Sequence, residues 1–260
     1  MRSRPAHSWR WLLANFLQRE ITSRYAGAAG GAAWALVHPL AQLAIFAVVF
    51  GFILRVPANA LGGLRFAGFL AIALWPWFMF AEGLQRAVAS IPANSSLIRK
   101  VAFPHELLIF ASVGASFAIH AVGWLAVLAA LTAWGEPIQW AGLVLALPLV
   151  LAQFAFTVGL GAFLAAIHVV LRDVEQILGL VLMAIFYASP IVYPFSMVPE
   201  PYRGWLSLNP MAYVVNRYRD LLLGGGWRLG DLVVLAVSLV VLAAGLWFFR
   251  RLSPYFEDLL

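Results

Sequence analysis

Apolar residues along this chain gather into six long blocks separated by short polar connections. The blocks occupy 32–54, 66–89, 107–134, 141–167, 177–193 and 232–249. A helix needs about 20 apolar residues to cross a hydrocarbon core of roughly 30 Å, so the pattern predicts six membrane-spanning helices. The second block is apolar to Ala81 and extends towards Ala89 through Glu82 and Arg86, an i,i+4 pair in the stabilising order. Polar residues follow, which is expected to set that pair near the cytosolic surface. Ahead of the blocks, Trp9, Leu12, Leu13, Phe16, Leu17, Ile21 and Tyr25 recur at helical spacing, with Arg10, Asn15, Gln18, Arg19, Thr22 and Ser23 on the other face. This predicts an amphipathic helix over 9–25 lying in the interface plane; a helix packed on a partner would use the same face.

The fifth block begins as a membrane helix and does not finish as one. Between 186 and 223 the chain stays rich in aromatic and aliphatic residues but is interrupted by Pro190, Pro194, Pro199, Pro201 and Pro210. Proline lacks an N–H and clashes with the preceding turn, so no continuous helix runs through this spacing. Broken apolar backbone at membrane depth is tolerated against protein or a water-filled path. The stretch 194–228 is therefore expected to form short re-entrant helices at the mouth of a pathway, before the last span. An aromatic loop resting on lipid headgroups is the alternative.

Of 260 residues, 63% are hydrophobic and 11% charged, against about 25% charged in a soluble domain. The fold class is all-α integral membrane, a single transmembrane domain over 1–260 with no large soluble domain. With the N-terminus in the cytosol, the short outer loops hold only Arg55 and Arg65, while most other basic residues, including Lys100, fall on inner segments. That bias predicts both termini in the cytosol, with the basic surplus meeting anionic lipid. No basic polar face suited to nucleic acid is present. The first apolar run starts near Ala32 and is too long for a signal-peptide core. Without cysteine there is no disulfide, thiolate metal site or cysteine nucleophile.

The motifs of chemistry are missing. A phosphate-binding P-loop needs a lysine after a glycine loop, and the only lysine, Lys100, follows none. His105-Glu106 starts like a zinc-protease helix, but Ile109 stands where the second histidine belongs. His38, His120 and His168 read as helix-packing residues. No cofactor or metal is expected on this chain.

A pathway without a chemical step is what remains. Trp34, Phe46, Phe50, Trp75, Trp77, Phe78, Phe80, Tyr187, Tyr193 and Trp205 offer flat apolar faces that pack against sugar rings, with polar tips that hydrogen-bond. Trp34, Trp75, Trp77, Phe78, Phe80, Tyr187 and Tyr193 are the candidate lining of a channel. Six helices make a thin wall for a wide path, which argues for a closed homodimer. The connection 90–106 has a short helical core at 95–101 and an apolar set, Leu97, Ile98, Val101 and Phe103, large for a loop. Those residues suit either a groove on a cytosolic partner or the chain's own 9–25 helix.

An ordered series of motifs runs through nearly the whole chain: Arg19-Glu20, Arg24-Tyr25, Trp34-Ala35 and Pro39; Asn94, Leu97-Ile98, Lys100, Phe103-Pro104 and Glu106; Arg172-Asp173; Ser189-Pro190 to Pro199-Glu200; and Leu208-Asn209-Pro210-Met211 with Arg219. In order and spacing it resembles the membrane subunits of type-2 ABC exporters that move polysaccharides, the O-antigen, teichoic-acid and capsule group. His105 departs from the arginine expected in many of them. The resemblance implies a homodimer in the bacterial inner (plasma) membrane with two copies of a separate ABC ATPase subunit, which holds ATP and Mg. It implies a coupling helix within 90–106, with Ser95, Leu97, Ile98, Arg99, Lys100, Phe103 and Pro104 meeting that ATPase. Arg19, Glu20, Arg24 and Tyr25 would belong to an interface helix. Met197, Tyr202, Trp205, Asn209, Pro210 and Met211 would belong to a periplasmic gate. The cargo implied is a lipid-linked polysaccharide, O-antigen-like before capsule or teichoic acid. The rival expectations are a small-molecule exporter of the same architecture and an intramembrane enzyme of lipid-linked sugar metabolism.

Overall fold

The computed structural model describes residues 6–24, 27, 30–57 and 61–260. These form helices and turns, with no strand among the described residues. The helices are α1 (Ala6–Ser23), α2 (Trp34–Phe46), α3 (Phe66–Ala93), α4 (Ser95–Ile98), α5 (Glu106–Ala133), α6 (Ala141–Val170), α7 (Val174–Tyr187), α8 (Glu200–Ser207), α9 (Pro210–Leu222), α10 (Leu229–Leu252) and α11 (Phe256–Leu259). α2 continues as a π-helical segment, Ala47–Ile53. Five of the helical runs, those built on α2, α3, α5, α6 and α10, are long and apolar enough to cross a membrane.

The fifth apolar block forms an apolar helix shorter than the other five. Its regular helix, α7, has 14 residues, about 21 Å against a hydrocarbon core of roughly 30 Å. Ser189 precedes Pro190, and a residue before proline is disfavoured in the α region, so the helix stops at Tyr187. The chain then turns through 188–194 with Ile191 and Val192 fully packed. Elsewhere proline does not end the spans: Pro39, Pro76, Pro92 and Pro148 all lie inside helices. The freed backbone groups are sheltered by neighbouring helices.

α3 is the hub. It is mostly buried, whereas α2 and α10 are mostly exposed. It packs on α5, α6, α9, α2 and α7. A buried polar chain crosses this centre: Gln153 Nε2 donates to the Pro76 carbonyl at 2.7 Å, and Tyr218 donates to Gln153 Oε1 at 2.9 Å. α6 and α10 meet backbone to backbone, since a Cβ on Gly245 would collide with the Gly159 carbonyl. Small residues at such a crossing allow the close packing that drives helix association in lipid. α1 lies along α5, with Leu17 over Gly114.

Between α7 and α10 the proline-rich stretch folds as a 3₁₀ turn (Phe195–Met197), α8 and α9. Asn209-Pro210-Met211 is a helix start: Asn209 caps α9 by accepting from the Met211 N–H at 2.9 Å, and Pro210 takes the first helical position. Asn209 Nδ2 also donates to Ser189 Oγ at 2.9 Å, tying α9 to the end of α7.

Candidate functional site

A cavity of about 810 Å³ opens between α2, α3 and α7. α2 presents Trp34, Ala35, His38, Pro39, Gln42 and Phe46, a stripe along one face. α3 presents Trp77, Phe78, Ala81, Glu82, Gln85, Arg86 and Ala89, and α7 presents Glu175, Gly179, Leu182, Met183, Phe186 and Tyr187. The wall is graded. At the end towards α8 and α9, Phe186 packs on Phe46, Trp77 and Tyr187 at centroid distances of 5.4, 5.4 and 5.2 Å. Towards α4 the wall is polar and charged.

The charged part is a cluster drawn from two helices, α3 and α5, and the segment after α1. Glu82 pairs with Arg24, with Arg86 Nε at 3.1 Å and with His120 Nε2 at 2.5 Å. Arg24 also donates to Ser116 Oγ on α5 at 2.8 Å. The sequence pointed to the Glu82–Arg86 pair alone and placed it near the membrane surface. α3 runs on to Ala93, so Glu82 lies about 16 Å from that end of a helix about 42 Å long. His120 faces Glu82 instead of merely filling a helix interface. Charges within an apolar helix bundle are costly and face its interior or a cavity; Arg24, Glu82, Arg86 and His120 all line this cavity.

Of the expected lining residues, Trp34, Trp77, Phe78 and Tyr187 are on the wall. Trp75 and Phe80 are not. Trp75 lies two residues from Trp77, about 200° round the helix, and is fully buried with its indole nitrogen against Gly123. Phe80 is also core, packed on Phe156 at 6.1 Å. Tyr193 sits beyond the wall and donates to the Tyr187 carbonyl at 2.8 Å.

Near α4, Asn94 joins α3 to α4 and accepts from Arg19 Nη2 at 2.8 Å. The helical core is one turn, Ser95–Ile98, followed by a turn at Arg99 and Lys100 instead of helix to 101. The apolar set divides. Ile98 and Phe103 are buried, Phe103 against Phe16 of α1 at 5.5 Å, while Leu97 is half-buried and Val101 exposed. The exposed tip is Arg99, Lys100 and Val101, with Ser95 and Pro104 half-buried beside it. Arg19 is exposed and Glu20 half-buried on α1; Tyr25 lies outside the described residues.

Behind that tip, His105 stacks on Phe256 at 6.2 Å, Ser253 Oγ approaches His105 Nδ1 at 3.4 Å, and Arg250 donates to Glu106 at 3.0 Å. Burial, opposed by Glu257 and Glu106, holds the His105 pKa below its ordinary value. At the α8–α9 end, Met197, Tyr202 and Trp205 are exposed and Met211 is buried. Arg219, which the sequence offered only as part of a motif, is buried there with no carboxylate partner among the described residues. It donates to the carbonyls of Phe69 (3.1 Å), Pro190 (2.5 Å) and Ile191 (2.8 Å), and stands over the Phe69 ring at 3.5 Å. Among the described residues no group of three or more histidine or acidic side chains is arranged to hold a metal.

Residues 12–223 match the profile of the ABC-2 type transporter family. The chain is 26% identical over 254 residues to the O-antigen export system permease protein RfbA of Klebsiella pneumoniae, covering 96% of this chain and 95% of the relative. Its identity to the protein of that name from Myxococcus xanthus is 29% over 263 residues, covering 98% and 97%. The polysialic acid transport protein KpsM of Escherichia coli is 27% identical over 237 residues, 89% of this chain and 90% of the relative. With the profile spanning most of its length, this chain belongs to the ABC-2 type transporter family.

Proposed function

We propose that the chain is the membrane-spanning subunit of an ATP-driven exporter that carries a lipid-linked cell-surface polysaccharide, O-antigen-like, across the inner membrane. The observation that carries the reading is the graded cavity: aromatic faces for sugar rings at the gate end and charged groups at the α4 end, in a chain similar along nearly its whole length to export permeases. A separate ATPase subunit, two copies per assembly, holds ATP and Mg and meets the exposed tip Arg99-Lys100-Val101. Both termini lie in the cytosol. A second copy of the chain closes the open side of the cavity, because Arg86 and Glu82 facing lipid would be costly.

The test is to delete the encoding gene in its host, restore it on a plasmid, and assay surface polysaccharide together with the proteins that co-purify. Restoration, with a P-loop ATPase in equal amount, is expected. A chain that purifies alone and transforms a lipid-linked sugar unaided overturns the reading.

A further inference from the structure

We propose that Arg86, supported by Arg24, forms a seat in the cavity wall for an anionic group of the cargo, a phosphate ester or a carboxylate. The identity of the cargo rests on the exporter reading; the seat rests on geometry.

Two guanidinium groups converge on one carboxylate, Glu82, leaving an excess of positive charge in the cluster against an apolar helix bundle. An excess charge in such surroundings is unfavourable until something neutralises it. The two arginines differ in exposure. The Arg24 side chain is 2% exposed and held by Glu82 and Ser116, so it contributes field instead of contact. The Arg86 side chain is 39% exposed and engages Glu82 through Nε. Its terminal nitrogens make no hydrogen bond among the described residues, and the residue lines the cavity. A guanidinium with its fork free is the group that binds phosphate or carboxylate in two-pronged fashion.

The other polar groups on this wall fit the assignment. His38, Gln42 and Gln85 bring neutral polar atoms. Glu175 stands at the α4 rim, where His168 Nε2 lies 3.6 Å from it and half its side chain is exposed, so its charge is screened. A purely structural cluster that pins the α1 end to α3 and α5 needs Arg24 and not Arg86. That difference makes the seat testable.

The full chain, with any partner that co-purifies, would be placed in phosphatidylcholine nanodiscs. Binding of decyl phosphate, methyl sialoside and neutral decyl glucoside would be measured at two salt concentrations. At least one anionic probe is expected to bind more tightly than the glucoside and to weaken with salt. Arg86→Gln should weaken that probe roughly tenfold to a hundredfold. Arg86→Lys should keep most of the binding, and Arg251→Gln, the same charge change on exposed α10, should leave it unchanged. The probe that responds tells a carrier phosphate from a sugar carboxylate. The seat is overturned if neither anion outbinds the glucoside, or if Arg86→Gln binds as wild type. Surface polysaccharide from the wild-type chain in the deletion strain is scored in parallel. If it is not restored the exporter reading falls and the binding data still decide the seat; if it is restored while Arg86→Gln binds normally, the seat alone falls.

Discussion

Single residues set the strength of two junctions. Arg219 places a desolvated cation among three carbonyls and an aromatic face. Its planar fork reaches both the start of α3 and the turn after α7, a span the compact ammonium of lysine does not match. Arg219→Ala leaves those carbonyls without a donor and should cost roughly 2–4 kcal/mol. Arg219→Lys should fall between that and wild type in thermal unfolding followed by size-exclusion chromatography. His105 sets the other junction. Because burial lowers its pKa in the folded chain below the ordinary 6.5, the state with a detached tail takes up a proton first. The junction is then at full strength above about pH 6.5 and weakens as the pH falls through that value. Amide protection of residues 253–260 should drop on acidification in wild type and stay level in His105→Gln. Protection that is flat with pH in both proteins would remove His105 from this role.

At the scale of elements, α1 acts as a strut between α4 and the cavity. Arg19 holds Asn94 at the root of α4, and Arg24, one turn further on, holds Glu82 in the cavity wall. A row of rings, Phe16, Phe103, His105, Phe256 and Phe249, links α1 through the 99–105 loop to the tail and α10, with centroid spacings of 5.5, 5.2, 6.2 and 5.2 Å. Arg19→Ala and Phe103→Ala should leave membrane levels close to wild type and reduce export severalfold, read as surface polysaccharide per unit of protein in the membrane. Loss of the protein itself would mean that the strut serves folding alone. Much of this scale was legible in the sequence. Hydropathy placed the long helices, the 3.6-residue period placed α1, and the prolines placed the break after α7. The Glu82 cluster was not legible, because Arg24 and His120 come from segments remote in the chain and only packing brings them together. Trp75 and Phe80 were misplaced because residue type was used where angle round the helix decides. The choice between a partner groove and α1 for the 90–106 anchors was open in the sequence. In the structure Ile98 and Phe103 turn inward, Phe103 against Phe16 of α1, and Val101 turns outward.

In the whole molecule, burial separates a tightly packed body from a lightly packed wall. α3, α5, α6 and α10 interlock, with Gly159 and Gly245 fusing the last two. α2 and α7 touch this body lightly and carry the open side of the cavity. Leu180 on α7 and Val240 on α10 are each 67% exposed, and in the proposed dimer only the first belongs to a helix that lines the open cavity. The chain has no cysteine of its own, so Leu180→Cys should give a disulfide-linked dimer in native membranes and Val240→Cys should not. The reverse pattern would move the interface to α10. The short α7 has a consequence in terms of the bilayer. A wall helix about 21 Å tall cannot support a hydrocarbon slab of roughly 30 Å along its length. Lipid beside it must thin, or water must enter at the Tyr187 end. Either way, on the exporter reading proposed above, the oily stretch that the polysaccharide would cross is about a third shorter than the membrane around it.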